Sequence, residues 1–428
     1  MRVLVRRGST LSFLPVLVAV QAFAVLQRGT PWLGEWRWTI DWAAGATILT
    51  APLLAGCVAF ELLRWRTGAT WSLIRSTQRG GVATWRVAGS ALAVVAALQV
   101  VSTAIMLLGT VAVGAEVEVD EGAVLALVAP LAVLAAAAAI GAAVVSCWQS
   151  LLAVPTAAAL VFGVTAFAGD LHLPPVLRVG GTTGSLVGLT WDSRHLWASI
   201  GVLLSLTACL AAVVRMRDGS ARTSVRRGAV VVTGTILAGS VVTAEAAPGH
   251  LLTRADEQVR YVCRTTEAST VCVASETRRQ LPWLASEISR QSAPLRSIGI
   301  QLPRRYQQEV PYRSVPRGTA PIALGPEPNR PEGDAELIPD LLAVPAACAA
   351  DSADVPPPPE VFVARGAIAA WIRVMNGTVD LADVGGEPFA DWLTTSPDQQ
   401  ADWIGVTFEQ LRQCRFDEVR VPEGVTVP

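Results

Sequence analysis

The chain has 428 residues, 52% of them apolar and 16% charged, with a net charge of -1. The charged share lies well below the roughly 25% of soluble domains, so much of the chain belongs in a membrane. The near-zero charge excludes the basic field that nucleic-acid binders carry. All 34 basic residues are arginine, so no phosphate loop of the GxxxxGK[ST] type can be completed.

Arg2, Arg6 and Arg7 precede an apolar run from Phe13 to Leu26. No clear small-x-small cleavage site follows it, so the run reads as a first span with a cytoplasmic N-terminus rather than a signal peptide. The second span is expected over Ile40 to Phe60. The loop before it holds Trp32, Trp36 and Trp38 and is read as an outer aromatic belt. Asp41 and Glu61 lie at the ends of this span, where snorkelling would make them cheap.

Arg64 to Arg86 follows, with Arg64, Arg66, Arg75, Arg79 and Arg86 and no acid. Arginines clustered beside a span mark the cytoplasmic side. Within this loop Trp71, Leu73 and Ile74 alternate with polar residues, as in a short helix lying along the interface. Val87 to Val113 is the third span. It leads to an outer loop with Glu116, Glu118, Asp120 and Glu121, which reads as a solvated turn rather than a hard-cation site. Ala123 to Val145 is the fourth span, and a tight inner turn at Cys147 to Gln149 leads to the fifth, Leu151 to Ala168. Pro130 and Pro155 should kink these helices. Gly141 and the alanine runs should let helices approach closely.

Asp170 to His195 is an outer segment, apolar yet broken by Pro174, Pro175, Gly180 and Gly181. It reads as two short pieces dipping back into the outer membrane face, packed on protein. Leu196 to Val214 is the sixth span. Arg215, Arg217, Arg222, Arg226 and Arg227 then put the next loop inside, and Ala229 to Ala246 is a seventh span. Every arginine-rich loop falls on one side in this scheme.

Beyond His250 the composition becomes that of a soluble domain. Gln258 to Arg264 and Thr270 to Ala274 alternate like short strands. Arg278 to Ile298 has helical spacing, and Pro303 to Pro331 is proline-rich and expected to be extended. Glu336 to Ala350 and Val361 to Val374 read as apolar helices. Ser396, Pro397 and Gln399 form a helix start, with the helix running to about Cys414. The fold class is therefore mainly α: a polytopic bundle of about seven spans and a small extracytoplasmic α+β domain. The domains divide at 1–217, 218–247 and 248–428.

Cys57, Cys147 and Cys209 lie in or beside spans and read as packing residues. Cys263, Cys272, Cys348 and Cys414 are an even set in an oxidising compartment. Cys263 and Cys272 flank a hairpin turn and can face each other; Cys348 with Cys414 is the remaining pair. Close C-x₂₋₄-C zinc spacing is absent. With His172, His195 and His250 as the only histidines, there is no HExxH motif, and no GxSxG elbow. No catalytic, cofactor or metal residue is assigned. Ala244-Glu245-Ala246 also matches a peptidase site, which would free the tail, and Asn376-Gly377-Thr378 matches a glycosylation acceptor.

The loop order over Met1 to Arg217 resembles the permease subunit of type-2 ABC exporters. In that family the loop between spans two and three docks on the ATPase, and short re-entrant helices precede the last core span. The resemblance implies an ATPase-docking loop at Trp71, Leu73, Ile74 and Arg75, and a re-entrant segment at Pro174, Pro175, Gly180 and Gly181. It also implies a separate ATP-binding subunit, a dimer of bundles in the lipid of the plasma membrane, and export of a substrate that the sequence does not identify. Tyr261-Val262-Cys263, Val271-Cys272-Val273 and Leu281-Pro282 are similar to an extracytoplasmic domain that follows the permease core in some actinobacterial ABC-type membrane proteins. The seventh span and the tail depart from the simple permease. The competing reading is a membrane-anchored sensor or interaction protein whose tail binds a ligand outside.

Overall fold

The computed structural model describes residues 13–27, 29–67, 71, 80–166, 180, 184–217, 253–256, 259–267, 269–311, 313–324, 338–346, 357–384 and 389–425. The chain divides into two compact units, Met1–Arg254 and Ala255–Pro428.

The first unit is helical. Its helices among the described residues are α1 (Leu14–Leu26), α2 (Trp36–Gly45), α3 (Thr47–Arg66), α4 (Gly80–Ala112), α5 (Glu121–Cys147), α6 (Ala153–Ala166) and α7 (Ser193–Arg217). Among the described residues four helices are long and apolar enough to cross a membrane: Trp36–Arg66, Val82–Ala112, Glu121–Cys147 and Ser193–Arg217. They mark the chain as a membrane protein. α1 and α6 are shorter apolar helices. The expected seventh span, 229–246, lies outside the described residues.

α5 is the hub, packed on α3 and α7. Gly141 explains how closely: a Cβ there would lie 2.4 Å from the Ala55 carbonyl oxygen of α3. Small residues at the contact let the two backbones meet. The outward faces of α4 and α7 carry Val100, Val101, Ile105, Leu108 and Leu204, all exposed, as lipid-facing surfaces require.

The second span, Trp36–Arg66, keeps helical backbone angles through Ala46 but is locally distorted there. α2 and α3 meet at Ala46, where Ala46 N–H donates to both the Ala43 and Ala44 carbonyls. Hydroxyls brace the distortion: Thr47 donates to the Ala44 carbonyl at 2.7 Å and Thr50 to that of Ala46 at 3.2 Å. Side-chain donors of this kind keep a distorted helix tolerable in hydrocarbon.

Two expectations about this span fail. Trp32, Trp36 and Trp38 are buried in protein instead of forming a belt at the headgroups, and Asp41 and Glu61 are buried instead of snorkelling. The tryptophans are edge-to-face with partners: Trp36 with Trp191, and Trp38 with Trp42.

A two-stranded sheet pairs β1 (Leu189–Trp191) with β2 (Thr253–Ala255). The second unit is built on a four-stranded sheet in the order β3 (Tyr261–Thr265), β4 (Thr270–Ala274), β5 (Arg305–Gln308), β6 (Ala320–Ile322). β3 and β4 are antiparallel, while β4–β5 and β5–β6 are parallel. Around the sheet lie α8 (Leu281–Gln291), α9 (Ala293–Ser297), α10 (Ile338–Leu342), α11 (Pro359–Met375) and α12 (Pro397–Arg412). Val271, Val273, Tyr306 and Ile322 of the sheet share a core with Leu284 and Ile288 of α8, Ile368 and Trp371 of α11, and Phe408 of α12.

The hairpin and the Ser396 start agree with the sequence; Ser396 Oγ accepts from the Gln399 N–H. The expected helix 278–298 is divided into a 3-10 turn, α8 and α9. The proline-rich stretch contains β5 and β6. Both are short, and parallel pairing hides the alternation that would advertise them.

Candidate functional site

Each end of the α2–α3 span carries a buried polar cluster. At the first end, the Glu35 carboxylate accepts from Ser185 Oγ at 2.6 Å and, at very short range, from the Leu186 N–H. Arg37 donates to the Leu189 carbonyl at 2.9 Å, with its guanidinium 5.4 Å from the Trp36 ring centre. Gly180 meets the same helix. Its φ is +73°, and a Cβ there would lie 2.5 Å from the Ala44 Cβ and 2.8 Å from the Asp41 carbonyl oxygen. Glycine is required twice over, for the left-handed backbone and for the close approach. Residues 184–191 and Gly180 are thus packed on α2. Pro174, Pro175 and Gly181 lie outside the described residues.

Below this cluster, Gln21 of α1 donates to Gln99 of α4 at 3.1 Å, and Gln99 donates to the Ala43 carbonyl at 2.7 Å. Thr39 and Thr110 share a hydrogen bond at 2.8 Å. Polar groups buried in a membrane bundle are expected to find such partners. Two of the acidic residues at the start of α5 have structural work: Asp120 accepts from the Ala123 N–H at 2.6 Å, and Glu121 accepts from the Trp197 indole at 2.8 Å.

At the other end, Arg66 is buried. It donates to the Val145 carbonyl at 3.3 Å and to Ser146 Oγ at 2.9 Å. A cation placed against the last carbonyls of α5 suits the helix dipole. Arg217 also reaches the Cys147 carbonyl, at 3.5 Å. The basic ends of α3 and α7 therefore share one end of the bundle. The Trp71 ring lies 5.1 Å from the Arg66 guanidinium and is itself buried. Leu73, Ile74 and Arg75 lie outside the described residues.

In the second unit, Cys263 and Cys272 are cross-strand partners and form a disulfide. Cys414 is also disulfide-bonded. Cys348, its expected partner, lies outside the described residues. Cys57, Cys147 and Cys209 are free.

A cavity of about 470 Å³ opens between β6, α10 and α11, lined by Glu309, Pro321, Ala323, Leu324, Asp340, Leu341, Val344 and Arg365. Its size is that of a small-molecule site. Burial pulls the Arg365 guanidinium below its usual value, against the opposing pull of Asp340 and Glu309. Asp340 is paired with Arg373. Among the described residues, no group of three or more His, Cys, Asp or Glu converges as a metal site would need.

The sequence pointed to the loops and missed both Glu35–Arg37 and this cavity. A Glu and an Arg beside tryptophans just before a span were the available signal for the first. Nothing local marks Arg365, because its neighbours come from distant elements.

Residues 271–414 match a family described as a domain of unknown function (DUF7224). That stretch runs from β4 to just past α12 and includes every residue that lines the cavity. No curated protein and no solved structure matches the chain.

Proposed function

We propose that the chain is the permease subunit of an ABC-type exporter, worked by a separate ATP-binding subunit. One observation carries the reading. A single membrane helix pair, α2–α3, holds the broken apolar segment at one end through Glu35, Arg37, Asp41 and Ala44, and at the other end seats Trp71 of the basic loop through Arg66. A push on that loop is then delivered to the far face along one helix pair.

In this reading the arginine end is cytoplasmic. α7 ends there at Arg217, yet β2 pairs with β1 beside the start of α7. The reading keeps a seventh crossing over 229–246 and an extracytoplasmic second unit as its expectation. The disulfide is compatible with that compartment.

Trp71, turned onto Arg66, fixes one point of the basic loop that this reading assigns to ATPase docking. Trp71→Ala should weaken ATPase binding about tenfold or more, and Arg75→Ala should weaken it less, because a rim charge acts mainly on encounter. ATPase retained on the purified chain is the readout, with membrane insertion followed separately. Full retention by Trp71→Ala beside loss by Arg75→Ala would put docking elsewhere.

The cavity favours a second reading, a membrane-anchored sensor. A chain that binds a ligand at the cavity and never an ATPase would establish it.

A further inference from the structure

The cavity beside β6 combines three features. Its walls are mostly apolar, from Pro321, Ala323, Leu324, Leu341 and Val344. One cation, Arg365, enters it from α11, and one anion, Glu309, from the end of β5. Neither side chain makes a hydrogen bond or a close ion pair among the described residues, although Asp340 and Glu309 both act electrostatically on Arg365. The other carboxylate, Asp340, is matched by Arg373. A guanidinium that is partly desolvated and left without an acceptor forgoes the charge-assisted bonds that arginine normally makes. A ligand carboxylate would supply them.

The ligand's remaining chemistry follows from the walls. A dianion would meet Glu309 and Asp340 and be repelled, whereas an ammonium group would be attracted there. An apolar body is needed against Leu324, Leu341 and Val344. Strand addition at this sheet edge is disfavoured. Ile322 turns its carbonyl towards β5, where it accepts from the Glu309 N–H at 2.8 Å, so its neighbour Pro321 faces the open edge and has no N–H to offer. An extended chain would find a blunted edge.

We propose that the cavity binds a short apolar peptide with free ends, its carboxylate on Arg365, its ammonium towards Glu309, and its side chains on Leu324, Leu341 and Val344. This goes beyond the permease reading and holds whether the tail serves an exporter or a sensor.

The test is calorimetric titration of the full chain in nanodiscs with trileucine, empty nanodiscs being subtracted. Saturable binding is expected. Amidating the peptide carboxylate, or the change Arg365→Gln, should each lose about tenfold or more in affinity, the value of one charge-assisted contact. Acetylating the peptide amine, or Glu309→Gln, should lose less, because Glu309 is exposed. Arg365→Lys, which keeps the charge, should retain part of the affinity and shows that loss in Arg365→Gln is not misfolding. No saturable binding of trileucine would overturn the proposal. So would affinity unchanged by Arg365→Gln, or decanoate binding as tightly as trileucine, which would make the ligand a simple amphiphilic anion. ATPase co-purification is independent of all these outcomes.

Discussion

Glu287 on α8 is nearly buried, and its carboxylate accepts from Arg290 and from Gln291 at 2.6 Å. The Arg290 hydrogen bond is the largest influence holding this carboxyl below the usual carboxylate range. A carboxylate more acidic in the folded state stabilises the fold above its unfolded value, and that stabilisation fades as pH falls through the folded value. Glu287→Gln should therefore cost the second unit about 1 kcal/mol at neutral pH, a modest figure because Arg290 is half exposed and screened. The cost should vanish as the solution is made strongly acidic. Fluorescence melts of both forms across pH would show it; a cost independent of pH would mean that the charge plays no part. Single residues of this kind were partly legible in the sequence. The arginine cluster and the Cys263–Cys272 pair stand out locally. Glu35, Arg37 and Arg365 act through residues far away in the chain, such as Leu189 for Arg37, and no window of sequence contains both partners.

At the scale of elements, the α3–α5 contact depends on Gly141, where a Cβ would meet backbone. Gly141→Ala should destabilise the bundle by about 1–3 kcal/mol, the usual cost of overpacking. Gly163→Ala on α6 should be neutral or slightly stabilising, since nothing lies within 4 Å of an added Cβ there and alanine is the better helix former. Thermal melts in nanodiscs compare the two, and equal effects would contradict the close approach. Elements with a strong period or a cap were readable in advance: α5, α7, the β3–β4 hairpin and α12. The distortion at Ala46 was not, because no proline marks it; Pro52 lies a turn and a half further on. β5 and β6 were hidden for a different reason. Parallel strands paired through distant contacts show neither alternation nor a turn between them.

For the whole molecule, the question is what the bundle is coupled to. The α2–α3 helix pair ties the loop end at Arg66 and Trp71 to the far end at Glu35 and Gly180. Such a connection suits a protein that receives work at one face and delivers it at the other. Purification of the unmodified chain from its native membranes, with every co-purifying protein identified, tests this most directly. An ATP-binding-cassette ATPase held in stoichiometric amount, and lost when Leu73 and Ile74 are both changed to Asp, is the predicted result. A chain that emerges from native membranes with no ATPase contradicts the permease account.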